Sequence, residues 1–366
     1  MTSAAPTNSP EVPKFQLQSL IASVVQSVGR IPGPPIQICC AQALGTEIYV
    51  GCSNGDLLRY TTQKDSPESY TLLSRQNVTH DKPIDEIVLL PSLLRALILA
   101  EQTVFIYTLP NLDPIPSTVI RPIRNVRLLA VDEQHLRRSP RSDPSQTADP
   151  VDFCVIKRSS IVAFSLRDRL VQHQDIPLPT NLSMTLAKRS GSYLCLADQE
   201  NYNIISLNTA ELFQLMPLNQ VSEGVPVKPS ITVISENEFL ILSNMGTHTM
   251  GMFITGDGEA VRGMLQWESH PEAICLDYPH IAALLPDATI EIHSIETQQR
   301  VQVIPAPPGG DAAALMKLLA CTGGFLVPSM QRSEKLRRTP VRLIRKRPTP
   351  TEATPEEGIC DGVDLI

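Results

Sequence analysis

The chain has 366 residues and a net charge of −7, with 31 Lys and Arg against 38 Asp and Glu, so it lacks the basic footprint of a nucleic-acid binder. Its longest apolar segment, residues 87–100, is interrupted by Pro91, Ser92 and Arg95 and falls short of the roughly 20 residues a spanning helix requires, while residues 1–13 have neither the basic start nor the apolar core of a secretory signal. A 42% hydrophobic share supports a sizeable core, and 32 prolines with only 4% aromatics argue against long helices and for many short strands.

Residues 1–13, rich in Ser, Thr, Pro and Ala, are expected to be a disordered tail. From Phe15 to Val28 two patterns compete. Leu17, Leu20, Ile21, Val24, Val25 and Val28 follow helical spacing, whereas the β-branched residues and the Ser/Gln interleaving suit strands. Glu47–Gly51 and Leu57–Tyr60 flank Ser53-Asn54-Gly55-Asp56, and an Asn-Gly step between apolar runs is the strongest local hairpin signal. Similar hairpins are predicted at Leu94–Leu99 with Val104–Tyr107, at Asp152–Ile156 with Ile161–Phe164, and at Tyr193–Leu196 with Asn203–Leu207. Residues 135–150 (HLRRSPRSDPSQTADP) are dense in Ser, Pro and Arg and nearly devoid of apolar side chains, so they are expected to be a disordered insertion. Within them Arg137-Arg138-Ser139-Pro140 is a candidate phosphorylation site, although a plain solvated insertion accounts for the same composition.

Residues 238–304 show the repeating unit best. Phe239-Leu240-Ile241-Leu242 is too short for a helix and reads as a strand buried on both faces. Met250–Thr255 and the turn Gly256-Asp257-Gly258 follow, and Glu259–Trp267 is predicted to pair back. Ile281–Leu285 repeats the two-sided apolar character. Thr289–His293 alternates apolar and polar residues and is predicted to keep one face wet, with Val301-Gln302-Val303 as the next strand. Phe325-Leu326-Val327 and Val341–Ile344 are a last, weaker pair. Starts near 48, 94, 152, 193, 239, 281 and 325 are about 40 to 60 residues apart, the period of propeller blades with insertions, so the predicted fold is all-β, a seven-bladed β-propeller over residues 14–345 with a disordered tail at 346–366. The strand at Phe15 is expected to complete the last blade by pairing with the end of the propeller.

The series Phe239–Leu242, Gly251-Met252-Phe253, Gly256-Asp257-Gly258, Arg262-Gly263, Leu265-Gln266-Trp267, Tyr278-Pro279, Ile281–Leu285 and Ile290–Thr297 resembles the citron homology (CNH) domain. Among CNH proteins it is most similar to the amino-terminal domain of endolysosomal tethering subunits of the CORVET and HOPS complexes and the transforming growth factor beta receptor-associated protein. The Asn54-Gly55-Asp56 and Gly256-Asp257-Gly258 turns look more like the CORVET type. The resemblance tips residues from Phe15 towards a strand. It implies a non-enzymatic interaction propeller that engages a Rab-type small GTPase or other tethering subunits, associating peripherally with endosomal and vacuolar membranes from the cytoplasm, without nucleic acid. Such subunits continue into an α-helical solenoid. This sequence stops at Ile366, so a fragment or shortened product is expected.

No nucleophile motif, phosphate loop or metal-ligand spacing appears, so no catalytic, cofactor-binding or metal residues are assigned. Gly256-Asp257-Gly258 with Gly263 lacks the spacing and the following helix of a dinucleotide fingerprint. His270 and His280 adjoin prolines in turns, and His293 is predicted on the wet face of its strand. The eight cysteines form no CxxC pair; Cys154, Cys195 and Cys275 sit in apolar runs as small core residues, in keeping with a reducing compartment. One charge cluster stands out, Arg332, Lys335, Arg337, Arg338, Arg342, Arg345, Lys346 and Arg347, followed by Glu352, Glu356, Glu357, Asp361 and Asp364. It is a candidate partner- or anionic-lipid-binding element, at about 1 kcal/mol per charge near such a surface, and a solvated last strand is the plainer reading. A lipid- or phosphoinositide-binding propeller and, more remotely, a propeller hydrolase are the alternatives.

Overall fold

The computed structural model describes residues 15–19, 36, 38–63, 66–139, 147–179, 182–221, 226–306, 319–321, 324–331 and 337–345, in backbone alone for 16–19, 62–63, 66–70 and everything after 306. The first strand is β1 (Phe15–Ser19). Six four-stranded antiparallel blades then follow in chain order. Blade 1 holds β2 (Ile38–Leu44), β3 (Glu47–Cys52), β4 (Asp56–Gln63) and β5 (Ser66–Asn77), and blade 2 holds β6 (Ile84–Leu90), β7 (Arg95–Ala100), β8 (Thr103–Thr108) and β9 (Ile123–Arg124). Blade 3 is β10 (Leu128–Val131), β11 (Val151–Ile156), β12 (Ser160–Leu166) and β13 (Leu170–Pro177); blade 4 is β14 (Leu186–Ser190), β15 (Tyr193–Ala197), β16 (Asn201–Ser206) and β17 (Leu212–Pro217). Blade 5 is β18 (Ile231–Ser235), β19 (Glu238–Asn244), β20 (Thr249–Thr255) and β21 (Leu265–Trp267), and blade 6 is β22 (Ala273–Asp277), β23 (His280–Leu284), β24 (Ile290–Ser294) and β25 (Arg300–Ile304).

The structure thus shows six such blades rather than the seven expected, and the seventh unit, expected at Phe325 and Val341, is not another copy of that arrangement. Its sheet joins β26 (Leu319–Cys321), β27 (Gly324–Gln331) and β28 (Arg337–Arg345) to β1 from the other end of the chain. Phe15 pairs with Arg345 and Ser19 with Val341, as the ring-closing role expected of this strand requires. The helical turn considered after Phe15 lies outside the described residues. First strands line the axis: β2 neighbours both β6 and β26, and β14 neighbours both β10 and β18.

Packing explains why the second strands read as unbroken apolar runs. In β19, Phe239 and Ile241 pack with Tyr202 and Ile204 of blade 4, whereas Leu240 and Leu242 pack with Ile281 and Ala283 of blade 6. In β11, Phe153 and Val155 face blade 2 and Cys154 and Ile156 face blade 4. Period-two alternation therefore sends successive side chains into two different cores, each Val, Leu, Ile or Phe contributing about 1.5–3 kcal/mol on burial. The Asn54-Gly55 turn forms as predicted, with Gly55 at φ +83°. A Cβ there would lie 1.9 Å from the Thr79 carbonyl oxygen, so the next link of the chain also demands glycine.

Two expectations need correction. In β24 no face is wet: all five residues are buried. Glu291 accepts hydrogen bonds from Arg300 Nη1 (2.6 Å) and His293 Nε2 (3.0 Å), and the His293 ring lies 5.1 Å from Trp267, so the carboxylate is satisfied between blades 5 and 6 while His293 Nδ1 and Trp267 Nε1 are buried without a hydrogen-bond partner. Of the insertion at 135–150, the described residues 135–139 and 147–150 are held in place, and 140–146 lie outside the described residues. Glu133–Leu136 form a helical turn, α1, capped by Asp132, whose Oδ1 accepts from Gln134 N at 3.0 Å. His135 Nδ1 accepts from Asp152 N at 2.9 Å, Arg137 Nη2 donates to the Ile234 carbonyl of blade 5 at 3.4 Å, and Arg138 Nη1 donates to the Pro150 carbonyl at 2.8 Å. A polar composition therefore found partners in backbone groups rather than in a core.

Candidate functional site

Antiparallel blades give the ring two unlike ends. One carries the turns between first and second and between third and fourth strands; the other carries the second-to-third turns and the links between blades. Exposed large apolar side chains gather at the first end: Leu94 at 55% exposure before β7, Tyr278 at 53% after β22, and Val261 and Met264 at 47% and 54% between β20 and β21. The β20–β21 loop is fixed by its neighbours. Tyr193 of blade 4 donates its hydroxyl to Asp257 Oδ1 at 2.8 Å, and Gly256 N donates to Asn237 Oδ1 at 2.8 Å. A Cβ at Gly256 would lie 2.2 Å from the Tyr193 ring, so glycine lets the loop lie flat on blade 4. On the far side Arg262 forms a bidentate ion pair with Glu238. Burial raises the Glu238 pKa, but Arg262 and Ser235 outweigh it and hold the carboxyl below its usual value. Val261 and Met264 are thus exposed on a held loop, the geometry a docking surface needs.

The axial channel is a second feature. A cavity of about 400 Å³ is lined by Gln42, Glu86, Lys188, Thr232, Glu133 and Arg137 among others, with α1 at one end. Burial raises the Glu86 pKa, and Lys188 offsets part of that while Glu133 adds to it. Burial alone would lower Lys188; Glu86 and Glu133 reverse this and keep the ammonium charged. Sequence reasoning missed all three residues. The signal was present as adjacent charges within otherwise apolar inner strands, Asp85-Glu86 in β6 and Lys188-Arg189 in β14.

His270, His280 and His293 are packed into the fold. Burial depresses His293 against the opposing pull of Glu291, and His270, whose Nε2 lies 2.9 Å from the Lys228 carbonyl, is depressed by burial as well. His280 is buried with its ring 5.3 Å from Phe15. Among the described residues no group of three or more His, Cys, Asp or Glu could hold a metal ion. Cys154, Cys195 and Cys275 are buried free thiols. Of the basic cluster, Arg337, Arg338, Arg342 and Arg345 occupy β28, where Arg337 and Arg338 pair with β27, Arg345 with β1 and Arg342 with both, while Arg332, Lys335, Lys346 and Arg347 lie outside the described residues. No helix among the described residues is long and apolar enough to cross a membrane.

The family model for the VPS3 N-terminal domain matches residues 34–306. The chain is 23% identical over 291 residues to vacuolar protein sorting-associated protein 3 of Saccharomyces cerevisiae, covering 75% of this chain and 26% of that protein. It is 26% identical over 284 residues to transforming growth factor-beta receptor-associated protein 1 of Mus musculus, covering 75% and 31%. The chain thus spans between a quarter and a third of the length of these relatives. Among solved structures it is similar in fold to the AfRom2 CNH domain, with a TM-score of 0.57 at 17% identity over 89% of this chain and 98% of that one. The WD40 β-propeller domain of Doa1 gives 0.55 at 14% identity over 91% and 98%.

Proposed function

The chain belongs to the VPS3 N-terminal domain family, and from that premise we propose that it is the protein-interaction propeller of a vesicle-tethering subunit, engaging a Rab-type small GTPase or a fellow subunit during endosome-to-vacuole transport. The observation that carries this reading is the fixed apolar loop: Val261 and Met264, exposed on the same end of the ring as Tyr278 and anchored through Tyr193, Asn237 and Glu238. Large apolar side chains on a rigid backbone bind a partner with little ordering cost, and a propeller end offers enough flat area for one. The names of the relatives, which place them in vacuolar sorting, support the membrane system in which the partner is sought. On this reading the chain works peripherally, at endosomal or vacuolar membranes, through its partners.

The test is binding of the folded chain to a panel of Rab-type GTPases loaded with GTP analogue or GDP. We expect selective binding of one GTP-loaded member, weakened at least about tenfold by Val261→Asp with Met264→Asp at unchanged melting temperature. Failure of every member in both nucleotide states would sink the GTPase reading.

A further inference from the structure

The Arg-Arg-Ser-Pro step lies where the structure can use it. Ser139 is exposed and directly follows the two arginines that pin the insertion, Arg137 to blade 5 and Arg138 to the Pro150 carbonyl. Pro150 is itself one wall of a groove of about 430 Å³ on blade 3, whose other lining residues include Arg167, Arg169, His173 and Ser165. Asp168 also lines it, but its contact with Arg167 Nε is 3.6 Å long and solvent-exposed on both sides, so it holds that guanidinium weakly. A groove rich in guanidinium next to a serine flanked by arginines and a proline combines a modifiable hydroxyl with a receiver for what is added.

We propose that Ser139 is a phosphorylation site of a proline-directed protein kinase and that its phosphate is received by the basic groove of blade 3, through Arg138, Arg167 and Arg169. In the transfer the Ser139 Oγ forms a bond to the γ-phosphorus of ATP, the bond from that phosphorus to the bridging oxygen of ADP breaks, and the hydroxyl proton leaves to solvent. The product carries about two negative charges and acceptor oxygens that suit bidentate guanidinium bonds. Because α1 lies between Ser139 and the channel, holding the phosphate on blade 3 fastens α1 at the channel end. The unmodified serine has no such hold. This inference is independent of which partner binds the apolar loop.

The test uses the whole chain in two forms, one treated with a proline-directed kinase and ATP, the other carrying phosphoserine installed at position 139 during synthesis. Mass spectrometry of the first should place phosphate on Ser139, the one Ser-Pro step between 132 and 150. Amide exchange over residues 133–139 should slow about tenfold in both forms, and Arg167→Ala with Arg169→Ala should abolish the slowing while leaving the unmodified chain unchanged. A kinase that modifies a peptide of residues 130–150 but not Ser139 in the folded chain would overturn the site. Unchanged exchange in the phosphoserine form, or slowing that survives the double arginine substitution, would overturn the receiving groove.

Discussion

At Glu291 and His293 the arrangement of three polar side chains decides a pH response. Burial holds the His293 pKa below its unfolded value, and His270 shares that direction, so the unfolded chain takes up protons in a range where the native chain does not. Stability is then fully present above about pH 6.5 and declines as pH falls below it. The melting temperature is expected to drop between pH 7.5 and 5.5, and His293→Gln should flatten that slope. Lys188 supplies the opposite case. Replacing it with Met leaves Glu86 and Glu133 in the channel without their counter-charge, so the variant should melt below the parent at pH 8. The gap should narrow as pH falls and Glu86, already raised, takes up a proton. Gly55→Ala must place a side chain at φ +83° against Thr79, and denaturant titration should register a loss of at least about 1 kcal/mol.

At the level of elements, Phe15 shows how little of a strand is needed to hold it. Its side chain is 1% exposed in the core of blade 6, its N–H donates to Gln302 Oε1 at 2.9 Å, and Gln302 Nε2 returns a bond to its carbonyl at 2.7 Å. Phe15→Ala is expected to cost about 3–5 kcal/mol, read as a shift of the denaturation midpoint, and deletion of residues 1–20 should cost more. Second and third strands were legible in the sequence because two neighbouring blades bury both their faces, leaving runs such as Phe239–Leu242. Outer strands were legible only in places, as at Val301-Gln302-Val303. β13 (LVQHQDIP) is exposed at most positions and its register shifts at Ala163 and Phe164, so neither period nor apolarity marked it. The alternation in β24 was real, but alternation reports polarity rather than water. Arg300, from the following strand, and Trp267, from the preceding blade, turned an apparent wet face into a sealed one.

Across the whole molecule, the ring separates what fixes the fold from what is free to vary. Its cores lie between blades, so turns at either end carry little packing, and the loop that exposes Val261 and Met264 is held by hydrogen bonds instead. The channel charges and this loop are formed by blades distant in sequence, which is why spacing alone did not bring Glu86 to Lys188 or Tyr193 to Asp257. The pairing of β1 with β28 also has a consequence in time. During synthesis β1 emerges well before its partner, which follows only about 330 residues later, a wait of roughly 15 to 65 seconds at 5–20 residues per second. Throughout that interval the ring is open and β1 has no partner in its own chain, so a nascent chain stalled before residue 337 would offer that edge to whatever strand or chaperone reaches it first.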